Sequence, residues 1–329
     1  MAKKIFFLAI LVCLLGFFCS CSQSIKARTI FIQENLHNGD AKFFGDKVVT
    51  NVDNKLCIYD FDGTIQQYDV QCNWIDVITD ERILVYGNFG HEVGLVCFDQ
   101  EFNMTFHTKL WDKEYLNIDP ALIKIGDIYY LTLTEIEGTV NNADINAENG
   151  TYTIQLYCSE DLTQWNFLGD VVSCDSNLED VKLMKHDGRL YVMYEKEVVD
   201  KGASNICIIG SVGDQIGKSW GEEIILLDKD ADHEPATIME TSDGFVVFYS
   251  CDKEAPGESY MGSHLYYAAY DRNFDLIEKD LKIESDISDG QLLYDVWLDD
   301  DQLHYMTSVN HLTDCTLAVL QSDLIKELK

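Results

Sequence analysis

Three carboxylates sit at matching points of a repeated pattern: Asp119 in Asp119-Pro120-Ala121-Leu122, Asp180 in Glu179-Asp180-Val181-Lys182, and Glu234 in His233-Glu234-Pro235-Ala236. The chain has only three prolines, and two of them directly follow Asp119 and Glu234. Proline there removes a backbone donor at the start of a strand and holds the preceding residue extended, which is expected to fix where each carboxylate points. Carboxyl groups gathered in one cavity can divide into a protonated donor and an ionised acceptor, the pairing that general acid–base catalysis needs. The competing view is that an acidic chain scatters Asp through its turns and that these charges are merely solvated. If the three form a site, folding must bring them to one cavity with no lysine or arginine tightly paired to them.

Each motif opens a strand that is followed by a tight turn and a second strand, as in Lys124-Ile125-Gly126-Asp127-Ile128-Tyr129, Lys185-His186-Asp187-Gly188-Arg189-Leu190 and Ser242-Asp243-Gly244-Phe245. The motifs recur 61 and 54 residues apart, room for four strands per repeat and the size of a propeller blade. Short β-rich runs broken by Gly, Asp and Asn fill the rest, and helical periodicity is confined to Ser322 to Leu328. Extending the pattern gives an all-β chain of six blades with four strands each. The last blade supplies only three, so an N-terminal strand, Thr29 to Gln33, is expected to close it and remove the open edge. A five-bladed ring is the alternative. Residues 28–329 read as one propeller domain.

In such a ring the first strand of each blade lines the channel. Loops entering first strands, and loops joining second to third strands, open on one face. The first-to-second turns are short throughout, whereas Glu137 to Gly150, Lys196 to Ser204 and Asp252 to Ser263 are long. Long loops on one face of a rigid scaffold are where binding is usually built. Tyr260, in the third of them, and His233, beside Glu234, are the candidate substrate-binding residues.

With Tyr129-Tyr130-Leu131, Tyr191-Val192-Met193-Tyr194 and Ser159-Glu160-Asp161-Leu162-Thr163-Gln164-Trp165, these motifs resemble the propeller glycoside hydrolases that include arabinanases, β-xylosidases and invertase-type enzymes. The resemblance covers Asp119 to about Asp271. It implies Asp119 as base, Asp180 as the residue that positions and tunes, and Glu234 as acid. That family usually has five blades, draws base and acid from well-separated blades, and carries proline where this chain has Val181. Asp-box-like turns, Ser159 to Trp165 and Ser211 to Trp220, are also similar to those of sialidases, which hold a sugar carboxylate with three arginines. This chain has only Arg28, Arg82, Arg189 and Arg272, with Arg82 and Arg189 at turns on the far face. The boxes are instead expected to stabilise turns, with Trp165 and Trp220 packed between blades.

The chain carries 57 acidic and 24 basic side chains, a net charge of −33, which argues against nucleic acid and phosphate-rich ligands. Lys3-Lys4 and the apolar run Ile5 to Phe18 read as a secretory signal peptide over residues 1–20. Cys21, after Phe18-Cys19-Ser20, is the expected lipidation site, and 21–27 a tether; the body is then an exported cell-envelope lipoprotein that meets the membrane through its lipid only. Eight cysteines remain in the body. Cys57, Cys97, Cys158, Cys207 and Cys315 fall in the third strand of different repeats, so free buried thiols are expected in place of disulfides. Cys-x-x-Cys and His-Glu-x-x-His are both absent, and Gly213 to Ser219 is one residue short of a phosphate-binding loop. Neither metal nor cofactor is expected, apart from weak calcium affinity from charge near Asp228 to Asp232. The sequence therefore points to a propeller that binds an oligo- or polysaccharide and hydrolyses it through Asp119, Asp180 and Glu234. The alternative is a non-catalytic glycan- or protein-binding propeller.

Overall fold

The computed structural model describes residues 24–36, 40–137, 150–199, 203–287, 290–309, 315–325 and 328. Cys21, the signal segment and most of the Glu137 to Gly150 loop lie outside them. The described strands form six sheets arranged as the blades of a ring; four are antiparallel sheets of consecutive segments and two also take in an N-terminal strand. The innermost strands are Ala41–Phe43, Trp74–Ile78, Leu116–Ile125, Leu178–His186, His233–Glu240 and Gln291–Asp299, which open blades 1 to 6 in that order. The six-bladed count therefore holds.

Blade 6 contributes only three strands of its own, and Arg28–Leu36 supplies the fourth, antiparallel to Cys315–Asp323. Phe31 of this strand is buried against blades 6 and 1. Just before it, Ile25–Lys26, within the stretch expected as tether, pairs in parallel with Leu276–Glu284 at the outer edge of blade 5. The N-terminal segment thus straps one blade before completing the next. At the other end, strand Cys315–Asp323 runs into the region whose periodicity suggested a helix. There Ser322 is buried and its Oγ lies 2.9 Å from the Tyr305 hydroxyl, so ladder pairing overrides the weak helical pattern.

The core is divided like the ring. Six apolar clusters fill the six gaps between neighbouring blades, for example Ile154, Leu156, Val192 and Tyr194 between blades 3 and 4. Each fully buried aliphatic or aromatic side chain contributes about 1.5–3 kcal/mol. Trp165 packs in the gap between blades 2 and 3 and Trp220 in that between 3 and 4, while Asp161 Oδ1 accepts from Thr163 and Gln164 N–H, as expected of turn-stabilising boxes. All eight body cysteines are free thiols, and the five named above occupy third strands.

A second system links the blades: a side-chain oxygen from each blade's first strand or the loop that enters it, and in blade 4 from the third strand, accepts from a backbone N–H of the next first strand. Asp40 takes Ile75 N (3.0 Å), Asp76 takes Leu122 N (2.6 Å), and Asp119 takes Asp180 N (2.9 Å). Ser204 Oγ takes His233 N (2.7 Å), Thr237 Oγ1 takes Val296 N (3.0 Å), and Asp295 takes Phe43 N (2.8 Å), which closes the circle.

Deleting residues 22–36 is expected to leave the Cys315–Asp323 edge unpaired and to expose the apolar surface that Phe31 covers. Light scattering and thermal melting should show oligomers and a lower Tm. A monomeric deletion variant with an unchanged melt would mean that the N-terminal strand does not carry closure.

Candidate functional site

At the channel mouth a cavity of about 160 Å3 is lined by residues of all six blades, among them Asp119, Asp180, Glu234 and Tyr260. The three sequence-predicted carboxylates and the tyrosine are thus brought to one place. His233 is not among the lining residues. It is fully buried, with its N–H on Ser204 Oγ, Nδ1 3.1 Å from the Ser204 carbonyl, and Nε2 3.4 Å from Asp230. Its observed contacts fasten blade 5 to blade 4.

Local backbone irregularity aims the carboxylates. The first strands of blades 3 and 4 slip register between Ile118 and Ala121 and between Glu179 and Lys182. Asp119 and Asp180 sit in these bulges with φ of 47° and 52°. The expectation that Pro120 keeps Asp119 extended is therefore corrected. A bulge needs one residue out of the ladder, Asp tolerates the left-handed region better than most residues, and the Asp119 carboxylate is held there by Asp180 N–H. Glu234, by contrast, stays in the ladder opposite Ser250.

Asp180, Glu195 and Glu234 each place one carboxylate oxygen within 4.8 Å of the other two. Glu195 and Glu234 are only 2% and 7% exposed. Burial first, then the charges of Glu195, Asp232 and Asp180 and a hydrogen bond with Asp180, push the Glu234 carboxyl well above its ordinary range. Glu195 is raised by burial and by Asp232 and Asp180, and Glu179 by burial and Asp119. Asp119 is pushed up to about 7, by burial and then by Asp180, against the opposing pull of Lys182 and the Asp180 N–H. A cluster of this kind holds protons, because several like charges cannot all ionise in a poorly solvated site. The Tyr260 hydroxyl is raised chiefly by Glu234, and then by burial.

Two lysines reach the cavity and both are engaged. Lys42 lies 3.2 Å from Asp40 and donates to the Tyr294 carbonyl, and Lys182 lies 3.6 Å from Asp180. Lys182 is thus near Asp180 but beyond hydrogen-bond distance, short of the tight ion pair that would consume the carboxylate. The oxygens of Asp180, Glu195 and Glu234 have a spacing that a hard divalent cation could also use, but shared protons satisfy the same geometry. At the calcium-like segment, Asp230 is paired with Lys279 at 3.2 Å.

Sequence reasoning missed Glu179, Glu195, Lys182 and the aromatic pair Trp74 and Phe89, all but Glu195 cavity-lining. A usable signal existed for Glu195: Glu195-Lys196-Glu197 interrupts the apolar strand Leu190 to Tyr194, and Glu195 pairs across from Glu179.

No family model and no curated protein matches the sequence. Solved structures do match in fold. β-1,2-Mannobiose phosphorylase from Listeria innocua, in complex with β-1,2-mannobiose, superposes with a TM-score of 0.51 at 12% identity, covering 89% of this chain and 91% of that one. The Bombyx mori GH32 β-fructofuranosidase gives 0.50 at 13% identity, covering 92% of this chain and 62% of that one. The chain therefore shares its propeller architecture with carbohydrate-active enzymes, in line with the resemblance read from its motifs.

Between about pH 5 and 8 the folded chain keeps protons on Asp119 (about 7), Asp76 (about 6) and the three raised glutamates, whereas an unfolded chain gives its carboxyl protons up around pH 4. His233 and His304, which burial holds below the ordinary imidazole value, act the other way below about pH 6.5; the five raised carboxyls outweigh these two, so the folded state binds more protons and stability falls as pH rises. Carboxylates held low, such as Asp161 and Asp230, are already ionised in both states there. Tm is expected to drop by on the order of 5 °C from pH 5.5 to 8, with a shallower slope in Glu195→Gln. A flat or rising profile would show that the cluster is ionised in the fold.

Proposed function

We propose that the chain binds carbohydrate at the channel mouth and hydrolyses its glycosidic bond, with Glu234 as general acid, Asp119 as general base and Asp180 as the residue that tunes both. The observation that carries this reading is the split within one cavity. Glu234 is buried among like charges that keep it protonated, while Asp119 is poised near neutrality. A leaving-group oxygen needs the first and an attacking water needs the second. Asp180 and Glu234 bring carboxylate oxygens within 4.8 Å of each other and share a hydrogen bond. That contact suits a proton-tuning partner better than a nucleophile.

The phosphorylase among the fold neighbours raises phosphate as an alternative to water. This site favours water. No arginine is among the residues that line the cavity, and its two lysines are already paired with Asp40 and Asp180. A phosphate entering the cavity would lose its water with no unpaired lysine or arginine among the lining residues to compensate.

Glu234→Gln keeps size and removes the proton donor. In a panel of plant and host oligosaccharides it is expected to lower turnover by about 10²–10⁴-fold with binding retained. The wild-type rate should rise with pH through about 7 as Asp119 ionises, then fall as Glu234 loses its proton. Binding by both proteins with turnover by neither would make this a glycan-binding propeller without catalysis.

We also propose that the mature chain is an exported lipoprotein anchored through Cys21, a reading supported by Lys3-Lys4, the apolar run to Phe18 and Cys21 itself. Among the described residues no helix is long and apolar enough to cross a membrane. Cys21→Ala should move the protein from the membrane fraction to the soluble one with an unchanged melt; continued retention would exclude this anchor.

A further inference from the structure

We propose that the propeller has a second binding site, away from the channel mouth, where Arg189 of blade 4 and Arg272 of blade 5 hold the carboxylate of a small ring-bearing acid. It is independent of the reading of the mouth given above. A cavity of about 390 Å3 opens there, and its lining includes both arginines, His186, Asp187, Tyr191 and Phe274. It lies at the other end of blade 4 from the candidate site: Asp180, near the start of strand Leu178–His186, lines the mouth, whereas His186 ends that strand.

Charge is the first observation. The chain has four arginines against 57 acidic side chains, and two of the four meet in this cavity. Neither is spent on an ion pair, since every ion pair among the described residues is made by a lysine or a histidine. Arg272 Nη2 donates to the Ser242 carbonyl at 2.7 Å, which orients the guanidinium and leaves most of its five N–H groups for a ligand. The nearest carboxylates are turned to His186 instead, Asp187 at 3.4 Å from Nε2 and Glu240 at 3.0 Å from Nδ1. Among the lining residues two guanidiniums stand against the one carboxylate of Asp187, so a monoanion balances the cavity. A dianion such as phosphate overshoots, and Glu240 behind His186 opposes its second charge.

The blade repeat supplies a control on whether the fold itself asks for arginine at these places. Arg189 opens the second strand of blade 4 opposite His186, and the residues at the matching position of blades 2, 3 and 6 are Ile83, Ile128 and Gln302. Arg272 is second in a turn whose fourth residue, Phe274, has φ of 64°. Phe102 (60°) and Leu162 (65°) mark the same turn in blades 2 and 3, where the second residue is Gln100 or Glu160. Both turns therefore form without arginine, and neighbouring blades 4 and 5 bring two together.

The remaining wall is aromatic. Phe274 is stacked on Phe245, with centroids 4.4 Å apart and planes within 8°, and Tyr191 leans on Phe274 at 5.2 Å. A cavity of about 150 Å3 holds one six-membered ring such as benzene, so this one has room for a ring beside the carboxylate it carries. The planar guanidinium fork fixes the direction of the carboxylate, and the aromatic wall receives the ring.

The test is calorimetry on the full-length protein with benzoate and glucuronate, which carry one carboxylate on an aromatic and on a sugar ring, against the neutral benzamide and glucuronamide and against inorganic phosphate. At least one ring acid is expected to bind about tenfold or more tighter than its amide and than phosphate, and which acid does so identifies the kind of ring. Arg189→Gln and Arg272→Gln should each weaken that binding about tenfold with an unchanged melt, because both side chains are exposed. Arg189→Lys keeps the charge but loses the fork, and should recover only part of the affinity. Four results would overturn the site as proposed: no binding of either acid at tens of millimolar, neither acid binding better than its amide, phosphate binding as tightly as the ring acids, or both arginine-to-glutamine variants binding like the parent.

Discussion

The closed circle of side-chain oxygens on neighbouring backbone N–H groups is the constraint on which the rest of this structure depends. Apolar packing between blades is non-directional, and by itself it would let six twisted sheets slide against one another. The circle fixes their relative height, because each bond joins one named atom to one named amide. Four of the six acceptors are aspartates. Buried carboxylates are costly unless hydrogen-bonded, and these recover part of that cost from backbone amides of the neighbouring blade's first strand.

That device makes the channel acidic before any chemistry is considered. Asp40, Asp76 and Asp295 are balanced around Lys42: burial pulls the ammonium down, but the three carboxylates outweigh it and keep Lys42 above its ordinary value. Among the cavity-lining residues of blades 3 to 5, Lys182 is the one cation against Asp119, Glu179, Asp180 and Glu234. Neutralisation there comes from protons. The half of the ring around Lys42 is thus neutralised mainly by an ammonium, although Asp76 there is also raised to about 6, and the half around Glu234 mainly by protons.

Much of the fold was legible because its signals are local. Alternating strands, Asp-Gly turns and the cysteines of third strands repeat within each blade, and the missing fourth strand of blade 6 announced the N-terminal partner. The site was legible only where it followed the repeat. Trp74 and Phe89 line the cavity because blade 2 opens on the same channel as blades 3 to 5, a relation no spacing encodes. His233 was misjudged for a nearer reason. Neighbours in a regular strand point to opposite sides, so an inward Glu234 sends His233 behind the strand. Glu179 and Asp180 escape that rule, both lining the cavity, because a bulge lies between Glu179 and Lys182.

The same bulge explains how Asp119 can belong to the scaffold and to the candidate chemistry at once. Its Oδ2 accepts the Asp180 N–H, which favours the ionised form, while the Asp180 carboxylate a few bonds away disfavours it. One residue therefore exerts both effects, and burial adds to the second. Asp119 ends near neutrality because these opposed pulls act on a carboxyl whose direction the circle has already fixed. A base that was free to rotate could escape the repulsion by turning toward solvent. Held as a link between blades 3 and 4, it cannot. In this propeller the rigidity of the blade-to-blade link and the raised proton affinity of Asp119 are one interaction.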